Sequence, residues 1–136
     1  MENVNSKYQK RDEERLVGYF FDSYAVIELL KGNPRYAKYS EEVITLTIFN
    51  LVEIYWSALN DVGKEKADYI FNQFKECVVQ ISDEIVKEAI QFRMDNKKRN
   101  LSYADCIGYI YSIRNGLLFL TGDKEFEKLD HVEFLQ

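Results

Sequence analysis

The sequence predicts an α/β fold, a three-layer α/β/α sandwich around a mainly parallel, five-stranded sheet. Two observations carry that expectation. Short, unbroken apolar runs recur along the chain, as suits strands buried on both faces. Between them lie longer segments whose apolar residues return at helical spacing. Strands alternating with helices connect through right-handed βαβ crossovers, which cover a parallel sheet with helices on both sides.

Leu16 to Phe21 (LVGYFF) is the first apolar run, and Ser23 to Leu30 follows with helical spacing until Lys31-Gly32-Asn33-Pro34 supplies turn residues. Pro34 to Ser40 suits a second short helix, because proline is favoured at a first helical position. Val43 to Leu46 is the next β-branched run. Thr47 caps a helix reaching Asn60, with Ile48, Leu51, Val52, Tyr55 and Leu59 as its apolar stripe. Asn60-Asp61-Val62-Gly63 breaks it, and Lys64 to Lys75 forms another amphipathic helix with Ala67, Ile70, Phe71 and Phe74 inward. Cys77 to Ile81 reads as a third strand. Ser82 caps a helix through Ile85, Ala89 and Phe92 that ends in the charged stretch from Asp95 to Asn100. Ser102 starts a helix that runs to Asn115, with Gly116 as its stop. Leu117 to Thr121 is a fourth strand, Lys124 to Leu129 a short helix, and Val132 to Leu135 a last strand. With no repeat, low-complexity segment or linker, this is one domain over residues 16–136. Residues 1–15 read as a charged tail or an exposed helix before it.

The bulk numbers exclude several classes of function. A chain of 136 residues suits a single domain with a real core, and 46% hydrophobic with 30% charged residues is an ordinary globular balance. No apolar run is long enough to cross a bilayer and no signal-peptide pattern opens the chain, so a cytoplasmic location is expected. Cys77 and Cys106 have neither a CxxC partner nor a nearby histidine, and are expected to be buried, reduced thiols. The one histidine, His131, lies near the end of the chain, which argues against histidine catalysis. A net charge of −5 argues against holding nucleic acid by bulk electrostatics. Bound divalent cations, however, would reverse the field inside an acidic cleft.

Four carboxylates point to such a cleft. Ligands of an open parallel sheet bind beyond the carboxyl ends of its strands. Asp22 directly follows the first strand, and Asp123 stands two residues after Thr121, the end of the fourth. Each alone could be a helix cap. Asp105 is the only charge from Leu101 to Ile113, in a helix that is apolar almost all round. A buried, unpaired carboxylate there is costly unless a partner or a metal meets it, although Ser102-Tyr103-Ala104-Asp105 also has the pattern of a capping box. Glu53 is the only charge from Thr45 to Asn60 and is expected to project into a semi-buried cleft. Four such acids on four elements suggest a site for magnesium or manganese, hard cations that favour oxygen ligands. Phosphodiester hydrolysis is the natural use of that site.

The segments FFDSYAVIELL, LVEIYW, LSYADCIGYIYSIRNG and LLFLTGDKEF, in that order, resemble the PIN domain along nearly the whole chain. Asp22, Glu53, Asp105 and Asp123 occupy the family's four acidic positions, and Thr121 matches the hydroxyl residue of its (T/S)xD motif. The resemblance implies strand order 3-2-1-4-5, a Mg2+- or Mn2+-dependent ribonuclease of the VapC type, an RNA substrate, a small antitoxin partner and a homodimer. It also implies that Asp22, Asp105 and Asp123 form the metal-binding core, completed by Glu53. Thr121, Ser23 and Ser102 would orient carboxylates or waters. Lys31, Arg35, Lys97, Lys98 and Arg99 are candidates for phosphate contacts. Tyr24 and Cys106 stand where smaller residues often occur in the family. Two other readings compete with this one: a non-catalytic PIN-like module that binds RNA or protein, and a phosphoacceptor receiver domain. The second needs an acceptor aspartate after the third strand, where this chain has Gln80-Ile81-Ser82.

Overall fold

The structure, a computed structural model, describes residues 18–136. The charged segment 1–15, and with it the start of the predicted first strand at Leu16 and Val17, lies outside the described residues. Four strands form one parallel sheet: β1 (Tyr19–Phe21), β2 (Ile44–Thr45), β3 (Leu118–Thr121) and β4 (Val132–Phe134), in the order β2-β1-β3-β4. Among the described residues five α-helices accompany them: α1 (Ser23–Leu30), α2 (Ile48–Val62), α3 (Lys64–Lys75), α4 (Asp83–Asp95) and α5 (Tyr103–Arg114). Short 3-10 helices span Pro34–Tyr39 and Lys124–Phe126.

The central strands carry aromatic and aliphatic side chains on both faces, and the alternation of a strand sends neighbours to opposite sides. Phe20 and Phe119 join Ala89, Cys106, Ile107, Tyr109, Ile110 and Phe126 in a core under α4 and α5. Phe21 and Leu120 join Ala25, Val26, Tyr36, Leu46, Leu51 and Ile54 in a second core under α1 and α2. The sheet is therefore the middle layer of three, as the sequence predicts. The predicted third strand at Cys77–Ile81 is reduced to a single parallel bridge between Leu46 and Val78. Its two bonds are Leu46 N–H to the Cys77 carbonyl (3.2 Å) and Val79 N–H to the Leu46 carbonyl (2.9 Å). The physical reason is the shortness of β2, whose two residues leave no further ladder to pair with. The bridge lies on the outer side of β2, so the observed order is the expected 3-2-1-4-5 with its outermost member cut to one contact.

The apolar stripe expected on α2 is also corrected. Leu51 is buried, as expected, but the other buried residues are Asn50, Ile54 and Ala58, while Ile48, Val52 and Leu59 are exposed. The helix is apolar on two faces, and periodicity alone chose a stripe between them. Among the described residues no helix is long and apolar enough to cross a membrane. Cys106 is buried and Cys77 half-buried, and both are free thiols.

Helix α5 comes close to the sheet because it has no side chain at Gly108. A Cβ there would stand 2.5 Å from Phe20 Cε1 and 3.1 Å from Phe119 Cε1. Both rings are fully buried and packed on each other, centroids 5.8 Å apart, so neither can yield. Alanine would favour an isolated helix, yet here overpacking dominates. Gly108→Ala is expected to cost about 1–3 kcal/mol of unfolding free energy in a urea titration. A gain in stability would contradict this account of the packing.

Candidate active site at the carboxyl edge of the sheet

β1 and β3 are parallel neighbours with Phe21 opposite Leu120, so both chains leave the sheet at the same edge. Asp22 N–H still bonds to the Leu120 carbonyl (3.1 Å), which ties the first residue after β1 to the end of β3. The Asp22 side chain is buried and caps α1, its Oδ1 accepting from Ala25 N–H at 2.8 Å. Its other oxygen accepts a hydrogen bond from the Thr121 hydroxyl. Thr121 Oγ1 in turn accepts from Asp123 N–H at 3.0 Å, so one buried hydroxyl holds two of the predicted acids. Asp123 then caps the following 3-10 helix through Glu125 N–H at 3.0 Å.

Asp105 lies in the first turn of α5, in the capping box that the sequence suggests. Ser102 Oγ accepts from Asp105 N–H (3.0 Å), and Asp105 Oδ2 accepts from Ser102 N–H (3.4 Å). This bond occupies one carboxylate oxygen. Glu53, on α2, is exposed instead of semi-buried, because α2 turns its core face through Asn50, Leu51, Ile54 and Ala58. It is nonetheless held in place: Ser23 Oγ donates to Glu53 Oε1 at 2.7 Å.

A residue absent from the sequence-based site completes that scaffold. Asn50 is fully buried; its Oδ1 accepts from Thr47 N–H (3.0 Å) and the Thr47 hydroxyl (2.9 Å). Its amide donates to Ser23 Oγ at 3.0 Å, so a chain of bonds runs Thr47–Asn50–Ser23–Glu53. The signal was present in the pattern Thr47-Ile48-Phe49-Asn50, where a short polar residue follows a cap by three positions. Tyr24 also has a structural consequence. Its ring lies against Gly122, where a Cβ would meet Tyr24 Cε1 at 2.2 Å, so the ring and the TGD turn fit only because position 122 is glycine.

Burial pushes the Asp22 carboxyl up to about 7; hydrogen bonds from Thr121 and Ala25 oppose it, and the charges of Asp105 and Asp123 add to it. Burial likewise pushes Asp105 up to about 6, against the Ser102 bonds and with further push from Asp123 and Glu53. The four acids thus share one field, and among the described residues no cation figures in the shift of Asp22 or Asp105. The ion pairs among the described residues join Lys64 to Asp68 and Arg114 to Glu88, on other parts of the surface. Carboxylate oxygens that repel one another, with no ion-pair partner among the described residues, fit a hard divalent cation in donor chemistry. As they stand they are spread: among the described residues no group of three or more His, Cys, Asp or Glu side chains is close enough to hold a metal ion.

The predicted phosphate contacts separate into two kinds. Lys31, Lys97 and Lys98 are exposed. Arg35 donates to the Gln136 backbone carbonyl, and Arg99 Nη1 to the Glu125 carbonyl (2.6 Å), so both have structural work. Beside Ser23 and Glu53 opens a cleft of about 530 Å³, also lined by Tyr24, Val52 and Trp56. Trp56 is 69% exposed and Val52 60%.

The family model for the PIN domain matches residues 19–132. No curated protein matches the sequence. Several solved structures share the fold. Mycobacterium tuberculosis VapC20, a toxin that cleaves the sarcin–ricin loop, superposes with a TM-score of 0.72 at 14% identity, over 88% of this chain and 100% of that one. A toxin–antitoxin complex from Klebsiella pneumoniae gives 0.69 at 18% identity, over 85% and 96%. VapBC-1 from nontypeable Haemophilus influenzae gives 0.64 at 17% identity, over 87% and 96%.

The Asp22 environment sets a pH dependence. Its folded pKa of about 7 stands above the ordinary 3.8, so between these values the folded state holds a proton that the unfolded state has lost. Wild type therefore loses stability as pH rises from about 4 through 7. Asp22→Asn keeps an acceptor for Ala25 N–H and carries no charge. In chelator, its melting temperature should exceed that of wild type by roughly 5 °C at pH 8, with the gap closing toward pH 4. A gap independent of pH would show that Asp22 ionises without strain.

Proposed function

Because the chain belongs to the PIN domain family, we propose that it is a divalent-metal-dependent endoribonuclease acting as the toxin of a toxin–antitoxin pair. The observation that carries this reading is the buried Asp22, sharing Thr121 with Asp123 and feeling the charge of Asp105. A purely structural domain gains nothing from three acids placed to repel one another at a sheet edge where ligands bind. The neighbours add support: one is a toxin that cleaves the sarcin–ricin loop, and another is a toxin–antitoxin complex.

In this reading Asp22, Asp105 and Asp123 hold Mg2+ or Mn2+, with Glu53 completing the set. The bound cation supplies a Lewis acid that lowers the pKa of water and offsets charge on the phosphate. Thr121 fixes the spacing of Asp22 and Asp123. Ser102 sets the rotamer of Asp105, and Ser23, itself held by Asn50, orients Glu53. Lys31, Lys97 and Lys98 are exposed and suited to phosphate, whereas Arg35 and Arg99 are already committed to backbone carbonyls.

The outward face of α2 is the proposed protein contact. Ile48, Phe49, Val52, Trp56 and Leu59 follow helical spacing on the side away from the core, and all are exposed. Contiguous apolar surface of this kind marks an interaction site. The antitoxin would cover the cleft at Tyr24, Val52 and Trp56, beside Glu53, and a second copy of the chain would pack along the rest of the stripe.

Cleavage of a structured-RNA panel with manganese tests the activity. Wild type should cut only with metal, and Asp105→Asn should be slower by roughly a hundredfold or more. Equal cutting by both proteins would remove Asp105 from the site. Sedimentation equilibrium tests the self-contact, where Val52→Asp should convert a dimer to a monomer that keeps its far-UV circular dichroism, and an unchanged mass would overturn the contact.

A further inference from the structure

A second cleft, of about 360 Å³, is lined by Ile90, Arg93, Met94, Lys97, Arg99 and Tyr103. Its chemistry is opposite to that of the site. The net charge of the chain is −5, yet Arg93-Met94-Asp95-Asn96-Lys97-Lys98-Arg99 places four cations in seven residues beside one acid. The Arg93 guanidinium lies over the Tyr103 ring, 4.3 Å from its centroid, and Arg93 Nε is anchored on the Leu101 carbonyl at 3.0 Å. Tyr103 is 58% exposed, so part of its surface stays open to solvent despite the arginine.

Two links tie this cleft to the acids. Tyr103 is the first residue of α5 and Asp105 the third, about 3 Å apart in rise along the helix and pointing to different sides of it. Across the cleft, Arg99 Nη1 bonds to the Glu125 carbonyl in the 3-10 helix that Asp123 caps. The walls of the cleft are therefore joined to the element that carries Asp105 on one side and to the one that Asp123 caps on the other.

We infer that this cleft is a binding subsite for one nucleotide of the RNA strand that flanks the scissile phosphate. Its base would stack on Tyr103 beside Arg93, and its phosphate would be met by Lys97 in the cleft, with exposed Lys98 next to it in the chain. Stacking on an aromatic ring accepts any base, while lysine reads the backbone charge. The subsite thus gives grip and register without sequence preference, and explains how an acidic protein holds an acidic polymer. The assignment rests on the ribonuclease reading proposed above, and binding is measured apart from cleavage so that the two can fail separately.

The probe is a fluorescein-labelled, mixed-sequence single-stranded oligoribonucleotide, titrated with the full chain in chelator and followed by anisotropy. Tyr103→Leu should weaken binding about tenfold while Tyr103→Phe stays near wild type, because leucine keeps bulk and loses the stacking face. Lys97→Gln with Lys98→Gln should reduce the slope of log affinity against log salt by about one or more. With manganese, Tyr103→Leu should raise KM about tenfold and leave kcat within about twofold. Wild type that binds no RNA, equal binding by the leucine variant, or equal loss in the phenylalanine variant would overturn the subsite. So would displacement of the RNA by an acidic peptide at matched charge, since the cleft would then select a protein partner. Cleavage of the panel without any of these binding effects would leave the nuclease standing and remove the subsite alone.

Discussion

Asp22 stands where β1 ends, its carboxylate bonded to the Thr121 hydroxyl across the sheet and to the Ala25 amide ahead of it. Taking a carboxylate out of water costs several kcal/mol unless hydrogen bonds or opposite charge replace its hydration. Here the replacement requires three things at once. β1 and β3 must be neighbours, α1 must begin immediately after β1, and the TGD turn must bring its hydroxyl back over the sheet edge. The burial of one charged group thereby specifies the pairing at the centre of the sheet and the start of the first helix. The same burial pushes its pKa up to about 7, against the two hydrogen bonds.

The other acids depend on that junction to different degrees. Asp123 shares its hydroxyl partner with Asp22, and so follows it directly. Asp105 is placed independently, by the capping box of α5, and reaches the same field because α5 packs on β1 and β3 through the opening at Gly108. Glu53 comes from the opposite layer through Ser23 and Asn50. The site is therefore assembled from both helical layers across the sheet edge, and capping bonds that stabilise helices also fix the acids in place. The surface is divided by chemistry, between apolar α2 and a cationic, aromatic cleft.

Much of the fold was legible in the sequence because most of it is local. Ser23–Leu30 and Lys64–Lys75 match the structure at both ends, since Asp22 and the glycine at position 63 with φ of +83° mark boundaries that no distant contact shifts. Ser102 and Asp105 form their capping box for the same reason. The failures are at positions where a neighbour decides. Cys77–Ile81 has the composition of a strand, but pairing needs a partner of equal length and β2 offers two residues. The stripe on α2 went wrong because both faces are apolar, and only the packing of α1 and α3 selects the one that is buried. The same packing leaves Glu53 exposed where its apolar sequence neighbours suggest semi-burial.

By itself, then, the sequence determined where the candidate acids lie along the chain, that helices begin after Asp22 and after Ser102, and that the sheet has apolar faces on both sides. Those properties follow from side-chain chemistry and from contacts within a few residues. Tertiary structure alone decided that Thr121 would serve two aspartates, that Asn50 would brace Glu53 through Ser23, and that Arg93 would lie on Tyr103. Each of these joins groups separated in sequence, from the two-residue step of Thr121 to Asp123 up to the ninety-nine of Thr121 to Asp22. The longer links exist only after the sheet has closed, because the entropy of bringing distant chain segments together is overcome by burial of the two cores and not by any single bond.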